Sequence, residues 1–360
     1  MTSEISWFSA LCDDDYEFLG QPDESLFSSW PHCRNIVMAA DRYGFDNVLL
    51  PSGYALGIDN TAFAAAIAPL ATHIRLLLAV RCGELVVPQL ARQMATIDQI
   101  LEGRLTINII SSEMPGESLD SGPRYRRSTE IMYALRELLD RRPVEMDGDF
   151  IKLAIDPPRI GTVSGRSPLF YFGGLSPAAK ECAAAGADVF LMWPDTTDKV
   201  TAVMAEMAAM AAAKGRHLRY GWRSHVIVRD TEDEARAAAA RLLSKLDDEE
   251  GAKIRQRSLD SASAGVANQA ALRESADDDG YVERHLWTGV GRARSGAGAA
   301  IVGDPDQVLA KIKELQDAGV GAFILSGYPH QAECDLFARY VLPELDHGRL
   351  EFEPAPVSLD

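Results

Sequence analysis

Residues 169–185 read LFYFGGLSPAAKECAAA and contain one full unit of the fold. The apolar run Leu169–Phe172 predicts a buried strand, and two glycines then turn the chain. Ser176 and the proline after it predict the start of an alanine-rich helix over Pro177–Ala185. A strand followed at once by a helix is the unit from which parallel sheets are built, so this stretch predicts an α/β fold.

The same alternation recurs along the 360 residues. The predicted strands are Ile5–Phe8, Val48–Leu50, Leu76–Val80, Leu105–Ile110, Leu169–Phe172, Val189–Trp193, His225–Val228 and Phe323–Leu325. The predicted helices are His32–Tyr43, Thr61–Ala71, Pro88–Leu101, Tyr125–Arg141, Pro177–Ala185, Lys199–Lys214, Glu232–Lys245 and Pro305–Ala318. Eight such units predict a closed (β/α)8 TIM barrel in a single domain over residues 1–360, with an open doubly wound sheet as the alternative.

One segment interrupts the alternation. Residues 246–300 are polar, charged and rich in Gly and Ser, and they precede the last predicted helix and strand. The segment is too long for an ordinary barrel connection, which predicts an insertion at the carboxyl-terminal rim. Two interpretations stay open, a mobile lid that closes over an anion or a helical elaboration with a solvated loop. The extended tail, residues 351–360, is expected to pack on a partner subunit.

Charge and composition limit the function classes. The 36 Lys and Arg against 53 Asp and Glu give a net charge of −17, and such a surface argues against nucleic acid as a partner. Five widely spaced cysteines and seven histidines without tight spacing favour neither a disulfide framework nor a metal site. No export signal or apolar span is recognisable, which predicts a cytoplasmic protein that does not enter a membrane.

A first group of candidate residues suits a phosphate and a planar ring. Gly174, Leu175 and Ser176 place backbone N–H groups and a hydroxyl at a helix N-terminus, although Ser before Pro is also an ordinary helix cap. Tyr125 opens another helix and offers a second phosphate contact. Asn108 is polar within an apolar strand, so its amide needs a partner, either a heterocycle or a neighbouring backbone group.

A second group suits an anion. Period-two alternation puts Arg223 and His225 on one face of the seventh strand, and a buried Arg is costly unless it pairs with a carboxylate or holds a ligand. Trp193, Arg294 and Tyr328 are expected to complete the pocket. Because the planar fork of Arg donates two hydrogen bonds at once, it matches a tetrahedral oxyanion.

Taken together, these motifs resemble the flavin-dependent alkanesulfonate monooxygenases of the bacterial-luciferase-like superfamily. The segments that carry the resemblance are Ala39–Arg42, Ala91–Asp98, Tyr171–Gly174, Arg223–Arg229, Ser295–Gly298 and Ser326–His330. The resemblance implies a (β/α)8 barrel that binds reduced FMN (FMNH2) delivered by a separate NAD(P)H-dependent flavin reductase. It also implies that O2 is used to cleave the C–S bond of a small anionic organosulfonate, which releases sulfite and an aldehyde.

The resemblance also implies residue roles. It places Asn108 and Ser111 at the flavin ring or ribityl chain, and Tyr125, Leu175 and Ser176 at the FMN phosphate. It assigns the sulfonate and the oxygen chemistry to Trp193, Arg223, His225, Arg294 and Tyr328.

Three segments, Glu4–Gly20, Asn108–Glu117 and Gly122–Met132, look most like the branch of this family that converts sulfoquinovose to 6-dehydroglucose. The loop Pro51–Asp59 lacks the Cys that simple alkanesulfonate enzymes carry near the flavin. The acidic loop Cys12–Glu17 offers acceptors for sugar hydroxyls or forms a solvated turn. The alternatives are an enzyme for linear alkanesulfonates, an F420- or FMN-dependent oxidoreductase, and a non-catalytic flavin-binding protein. A homo-oligomer, either a dimer or a tetramer, is expected.

Overall fold

The computed structural model describes residues 2–256 and 263–359. The strands are β1 Glu4–Phe8, β2 Asn47–Leu50, β3 Arg75–Arg81, β4 Leu105–Ile110, β5 Val144–Asp147, β6 Lys152–Ile155, β7 Phe170–Gly173, β8 Val189–Met192, β9 Arg219–Val228, β10 Tyr281–Glu283, β11 Leu286–Trp287, β12 Ala300–Gly303 and β13 Ala322–Ser326. The helices are α1 Trp30–Tyr43, α2 Asn60–Ile67, α3 Val87–Ile100, α4 Ser121–Leu139, α5 Pro177–Gly186, α6 Thr197–Ala213, α7 Glu232–Leu243, α8 Asp248–Gln256, α9 Ala264–Glu274, α10 Pro305–Ala318 and α11 His330–Tyr340.

Eight of the strands close into a parallel barrel in the order β1, β2, β3, β4, β7, β8, β9, β13 and back to β1. Each predicted strand overlaps one of these eight, and a helix follows every one of them. The predicted (β/α)8 barrel is therefore confirmed, and the open sheet is excluded.

The insertion is attached to the barrel through the longest strand, β9. Its residues Arg219–Trp222 pair with β8, and beyond the end of β8 its residues His225–Val228 pair with β12. The antiparallel strands β10 and β11 extend the sheet outward from β12, and α8 and α9 precede them. The described part of residues 246–300 is thus largely regular structure, whereas residues 257–262 lie outside the described ranges.

The barrel interior is apolar in the middle and polar at its amino-terminal end. Phe8, Leu77 and Ile324 belong to the buried cluster that fills the interior. Below them the Tyr171 hydroxyl donates to Glu4 Oε1 at 2.7 Å. The tail packs against its own barrel, since Leu350 and Phe352 join the interior cluster and the Ser358 amide donates to Ala185 O at 2.8 Å.

The sequence did not predict α8, α9 or α11. In α11 the buried positions include Cys334 and Phe337, a short apolar stripe among charged residues. Such a weak stripe becomes helical because it packs on β9 and α1. None of the helices in the described part of the chain combines the length and the apolar character that crossing a bilayer requires.

Asp188, immediately before β8, tests how the barrel stabilises its buried charges. Its Oδ2 accepts from Arg136 Nη2 at 2.7 Å, and its Oδ1 lies 3.6 Å from Arg216 Nη2. Asp188→Asn leaves two buried guanidiniums without their counter-charge, so we expect the free energy of unfolding to fall by about 3–5 kcal/mol in urea denaturation. Asp147→Asn, which breaks an exposed pair with Lys152, is the control and should cost less than about 1 kcal/mol. Equal small losses in the two variants would contradict the expectation.

Candidate functional site

The predicted site residues surround one mouth of the barrel, at the carboxyl ends of its strands. Their positions are Asn108 and Ser111 at the end of β4, Tyr125 in the first turns of α4, Gly174, Leu175 and Ser176 after β7, Trp193 after β8, Arg223 and His225 on β9, Arg294 in the insertion, and Tyr328 after β13. The strand order separates them into two groups. The group at β4 and β7 faces the group at β9 and β13 across the mouth, and Trp193, just after β8, lies between them.

Two arginines form the centre of the second group. The Arg223 and Arg294 guanidiniums lie 4.3 and 5.3 Å from the centroid of the same Phe8 ring. Arg223 is 5% exposed, and its hydrogen bonds go to neutral oxygens, the Ser224 carbonyl and the Ser326 hydroxyl. Burial and then the charge of Arg294 lower the pKa of Arg223 to about 9. The buried charge of Arg223 is therefore costly, and a bound anion would remove that cost. Arg294 is half-buried, and although burial lowers its pKa, Tyr328, Cys12 and Asp13 outweigh that effect and raise the pKa above its ordinary value.

A chain of hydrogen bonds orients Arg223 and His225. Arg223 Nη2 donates to Ser326 Oγ at 2.8 Å, and Ser326 Oγ lies 2.8 Å from His225 Nδ1. His225 Nε2 lies 3.2 Å from Ala297 O, an acceptor, so this nitrogen carries the hydrogen and Nδ1 accepts from Ser326. Burial, Arg223 and Arg294 together hold the pKa of His225 well below its ordinary value. Both nitrogens of this neutral ring are therefore engaged by the protein.

Tyr328 links the two arginine-bearing elements. Its hydroxyl accepts from Arg294 Nη1 at 2.6 Å, and its ring stacks on His225 at 5.2 Å between centroids. Burial raises the pKa of Tyr328 to about 12, so the hydroxyl stays protonated at neutral pH. Tyr328 can therefore donate its own hydrogen to a ligand while it holds Arg294 in place.

The insertion contacts the site through Trp193 and Arg294. A Cβ at Gly265 would lie 2.8 Å from Trp193 Cζ3, and one at Gly296 would lie 3.4 Å from Cζ2, so the indole packs directly on the insertion. The Gly291 amide donates to Gly298 O at 2.7 Å and closes a short backbone loop that contains Arg294. The insertion thus forms part of the mouth rather than a distant appendage.

The first group has the geometry of an anion site at a helix end. Ser176 caps α5 by accepting from the Ala179 amide at 3.2 Å. Gly174 has φ 155°, and a Cβ there would lie 2.6 Å from the Ala179 Cβ and 3.5 Å from the Tyr125 hydroxyl. A glycine turn, backbone N–H groups at a helix N-terminus and a nearby phenol fit the phosphate of a nucleotide.

Asn108 and Ser111 lie beside that helix end. Asn108 is half-buried on the inner face of β4, the face that also carries Thr106, which accepts from Asn47 Nδ2 at 3.0 Å inside the barrel. Ser111 is buried, and its hydroxyl donates at 2.5 Å to Ser128, which in turn bonds to the Arg124 carbonyl. Ser111 is therefore anchored to α4, and its oxygen keeps an acceptor lone pair for a ligand.

A cysteine reaches the mouth from the loop after β1. Burial raises the pKa of the Cys12 thiol, and the nearby Arg294 charge opposes that effect. A Cβ at Gly53 would lie 2.5 Å from Cys12 O, and one at Gly57 would lie 1.7 Å from Leu11 O, so the loop after β2 packs tightly on the loop after β1. Cys12 therefore lies beside the arginine group, a placement that its position in the sequence did not reveal.

The sequence also missed a cluster formed by Asp15, His32 and His330. Asp15 is buried, and its oxygens accept from His330 Nδ1 at 2.7 Å, the His330 amide at 2.8 Å and His32 Nε2 at 3.0 Å. Of the carboxylates in the acidic loop, Asp15 is therefore engaged by the protein and not free to accept from a sugar hydroxyl. The described residues contain no group of three or more His, Cys, Asp or Glu placed to hold a metal ion.

The sequence model of the luciferase-like monooxygenases matches residues 16–322. The chain belongs to this family. A sulfoquinovose monooxygenase of Novosphingobium aromaticivorans is 63% identical over 354 residues, which cover 96% of this chain and 98% of the relative. A second protein of that name, from Agrobacterium fabrum, is 52% identical over 346 residues, or 95% of this chain and 90% of the relative.

Solved structures share the luciferase-like monooxygenase fold at low sequence identity. A riboflavin lyase with modified FMN and riboflavin has a TM-score of 0.77 and 15% identity over 99% of this chain and 94% of its own. The oxygenating constituent of 3,6-diketocamphane monooxygenase from Pseudomonas putida, in complex with FMN, has a TM-score of 0.69 and 16% identity over 96% and 99%. An F420-dependent tetrahydromethanopterin reductase from Methanopyrus kandleri has a TM-score of 0.67 and 18% identity over 96% and 100%.

In this luciferase-like monooxygenase, Ser326 joins Arg223 to His225, and its removal is measurable. Ser326→Ala leaves a buried guanidinium N–H and a buried ring nitrogen without their shared partner, so we expect the free energy of unfolding to fall by roughly 1–3 kcal/mol in urea denaturation. Thr201→Ala on α6 removes an exposed hydroxyl and serves as the control. A Ser326→Ala variant as stable as this control would show that the chain of hydrogen bonds stabilises nothing.

Proposed function

We propose that this chain is an FMNH2-dependent monooxygenase that cleaves the C–S bond of sulfoquinovose with O2, giving sulfite and 6-dehydroglucose. The observation that carries the proposal is the pair of guanidiniums over one aromatic ring, that of buried Arg223 and that of half-buried Arg294. These cations share a barrel mouth with a helix end suited to phosphate. Two relatives named sulfoquinovose monooxygenase, each matched over nearly its whole length, support the substrate.

The helix end and its neighbours would hold the cofactor. Gly174, Leu175 and Ser176 at the start of α5 would bind the FMN phosphate together with Tyr125, and the inner face of β4 would meet the ring through Asn108, with Ser111 next to it. When bound, reduced FMN supplies the electrons that activate O2. A separate NAD(P)H-dependent flavin reductase would deliver it. FMN-bound neighbours on the same fold are consistent with this assignment.

The arginine group would hold the sulfonate. Arg223 and Arg294 donate to its oxygens, and Tyr328 adds a neutral donor. The net reaction balances as RCH2SO3⁻ + FMNH2 + O2 giving RCHO + HSO3⁻ + FMN + H2O. The insertion, packed on Trp193, would act as the lid that excludes water from the reacting centre. We further propose a cytoplasmic homo-oligomer, either a dimer or a tetramer.

A sulfite-release assay tests the proposal. The purified chain is supplied with a flavin reductase, NAD(P)H, FMN and air, and sulfoquinovose is compared with linear alkanesulfonates of two to ten carbons. We expect sulfite only with the sulfosugar, in proportion to O2 consumed. Activity confined to the linear substrates would refute the sugar assignment. Substrate oxidation without O2 uptake or sulfite would instead favour hydride transfer to FMN or F420.

Arg223→Lys separates geometry from charge at the sulfonate. Lys keeps a positive charge but loses the two-pronged fork, so we expect kcat/KM for sulfite release to fall roughly 10- to 100-fold while FMN binding, followed by flavin fluorescence, is unchanged. Arg219→Lys, at the opposite end of the same strand, is the matched control and should stay within about twofold of wild type. Wild-type turnover in Arg223→Lys would show that the fork is not needed.

A further inference from the structure

One histidine nitrogen at the mouth has no hydrogen-bond partner among the described residues. His330 is 1% exposed, and its Nδ1 faces Asp15, but its Nε2 is buried without a hydrogen bond to any residue in the described ranges. Buried polar atoms are nearly always bonded, so an unbonded one calls for an explanation. His225 provides the contrast, because both of its nitrogens are engaged by the protein.

The His330 ring borders the arginine pocket. It stacks on Phe8 at 5.7 Å between centroids and 30° between planes, and it meets Tyr328 edge-on at 5.0 Å. Phe8 is the ring over which Arg223 and Arg294 both lie, and Tyr328 is the hydrogen-bond partner of Arg294. The unbonded nitrogen is therefore adjacent to the place proposed for the sulfonate.

Asp15 determines which His330 nitrogen carries the hydrogen. Burial works against the Asp15 charge, but His330 and His32 outweigh it and hold the pKa of Asp15 below its ordinary value. An ionised Asp15 only accepts, so it binds the hydrogen on Nδ1. Burial, assisted by Arg294 and Arg223, lowers the pKa of His330. The neutral ring therefore presents a lone pair at Nε2.

The cluster also connects the pocket with the outside of the barrel. Asp15 Oδ2 lies 3.0 Å from Nε2 of His32 in the first turn of α1, and the His32 side chain is 10% exposed. A buried base is thus joined through a carboxylate to a histidine with access to solvent. A carboxylate that orients a histidine is a common arrangement around bases in active sites.

We propose that His330 is a catalytic base, with Asp15 as its positioning residue, a role that rests on the proposed function. After oxygenation the carbon bears both hydroxyl and sulfonate, as RCH(OH)SO3⁻. Nε2 takes the hydroxyl proton, the O–H electron pair becomes the second C–O bond of the aldehyde, and the C–S pair leaves with sulfite, SO3²⁻. The sulfite charge offsets Arg223 and Arg294, so the cost of placing a positive charge on His330 falls at that moment.

His330→Asn tests the base directly. Asn retains a donor close to the position of Nδ1 and lacks Nε2, so the bond to Asp15 can persist while the acceptor is lost. We expect kcat for sulfite release to fall by about 10²–10⁴-fold, with KM and FMN binding within about threefold of wild type. His347→Asn is the matched control, since His347 Nδ1 bonds to Asp46 at 3.0 Å near the opposite end of the barrel, and it should keep wild-type kcat.

Asp15→Asn tests the positioning role through the pH profile of kcat, which a loss of packing alone would not shift. The charged and titratable groups near His330 are Asp15 after β1, Arg223 and His225 on β9, Arg294 in the insertion and Tyr328 after β13. Glu333, one turn further along the same helix, pairs with Arg229. Removing the Asp15 charge lowers the pKa of His330, so the acid limb of the kcat profile should move to lower pH as kcat falls. An unchanged limb would overturn the role of Asp15, and this holds even if His330→Asn does not fold.

The outcomes separate this inference from the proposed function. If wild type releases no sulfite from any sulfonate, the proposed function fails and the base fails with it. If wild type is active and His330→Asn keeps at least a third of its kcat, the base alone is refuted. A large loss of kcat in His330→Asn with intact FMN binding, together with an acid limb shifted to lower pH in Asp15→Asn, supports the roles proposed for both residues.

Discussion

The constraint on which the site depends is the placement of two guanidiniums over one aromatic ring in the barrel mouth. Elsewhere in the chain, buried arginines are neutralised, as Arg136 and Arg216 are by Asp188. Arg223 instead bonds to neutral oxygens and lies over Phe8, which offers only its ring face. Positive potential is thus held inside a strongly acidic protein, where a small anion can be recognised although the surface as a whole repels negative charge.

The barrel holds these side chains in place on separate rigid elements. Arg223 extends from a central strand, Arg294 from an insertion that adds its own strand to the same β9, and Tyr328 from the loop after the neighbouring strand. Three separate elements therefore fix three donors, and hydrogen bonds among Arg223, Ser326 and His225 leave little rotational freedom. Such preorganisation means that binding an anion requires little ordering of side chains.

The sequence predicted the barrel well because its evidence is local. Each apolar run, such as Leu169–Phe172, predicts a strand, and the glycines and capping residues after it predict the start of the following helix. The candidate residues were found in the same way, at the ends of strands. Contacts between residues distant in the sequence were not predicted, because no local pattern at Asp15 indicates that it bonds to His330. The helix α11 was missed because its apolar stripe is too weak to be recognised without the strands that it covers.

The bond between the Gly291 amide and the Gly298 carbonyl has a consequence for evolution. It closes residues 291–298 into a short backbone ring that carries Arg294, and the Ala297 carbonyl of the same ring bonds to His225 on β9. An insertion or deletion in this ring would displace Arg294 and unpair a His225 nitrogen at once, so we expect the ring and the strand beneath it to diverge together among relatives with different substrates.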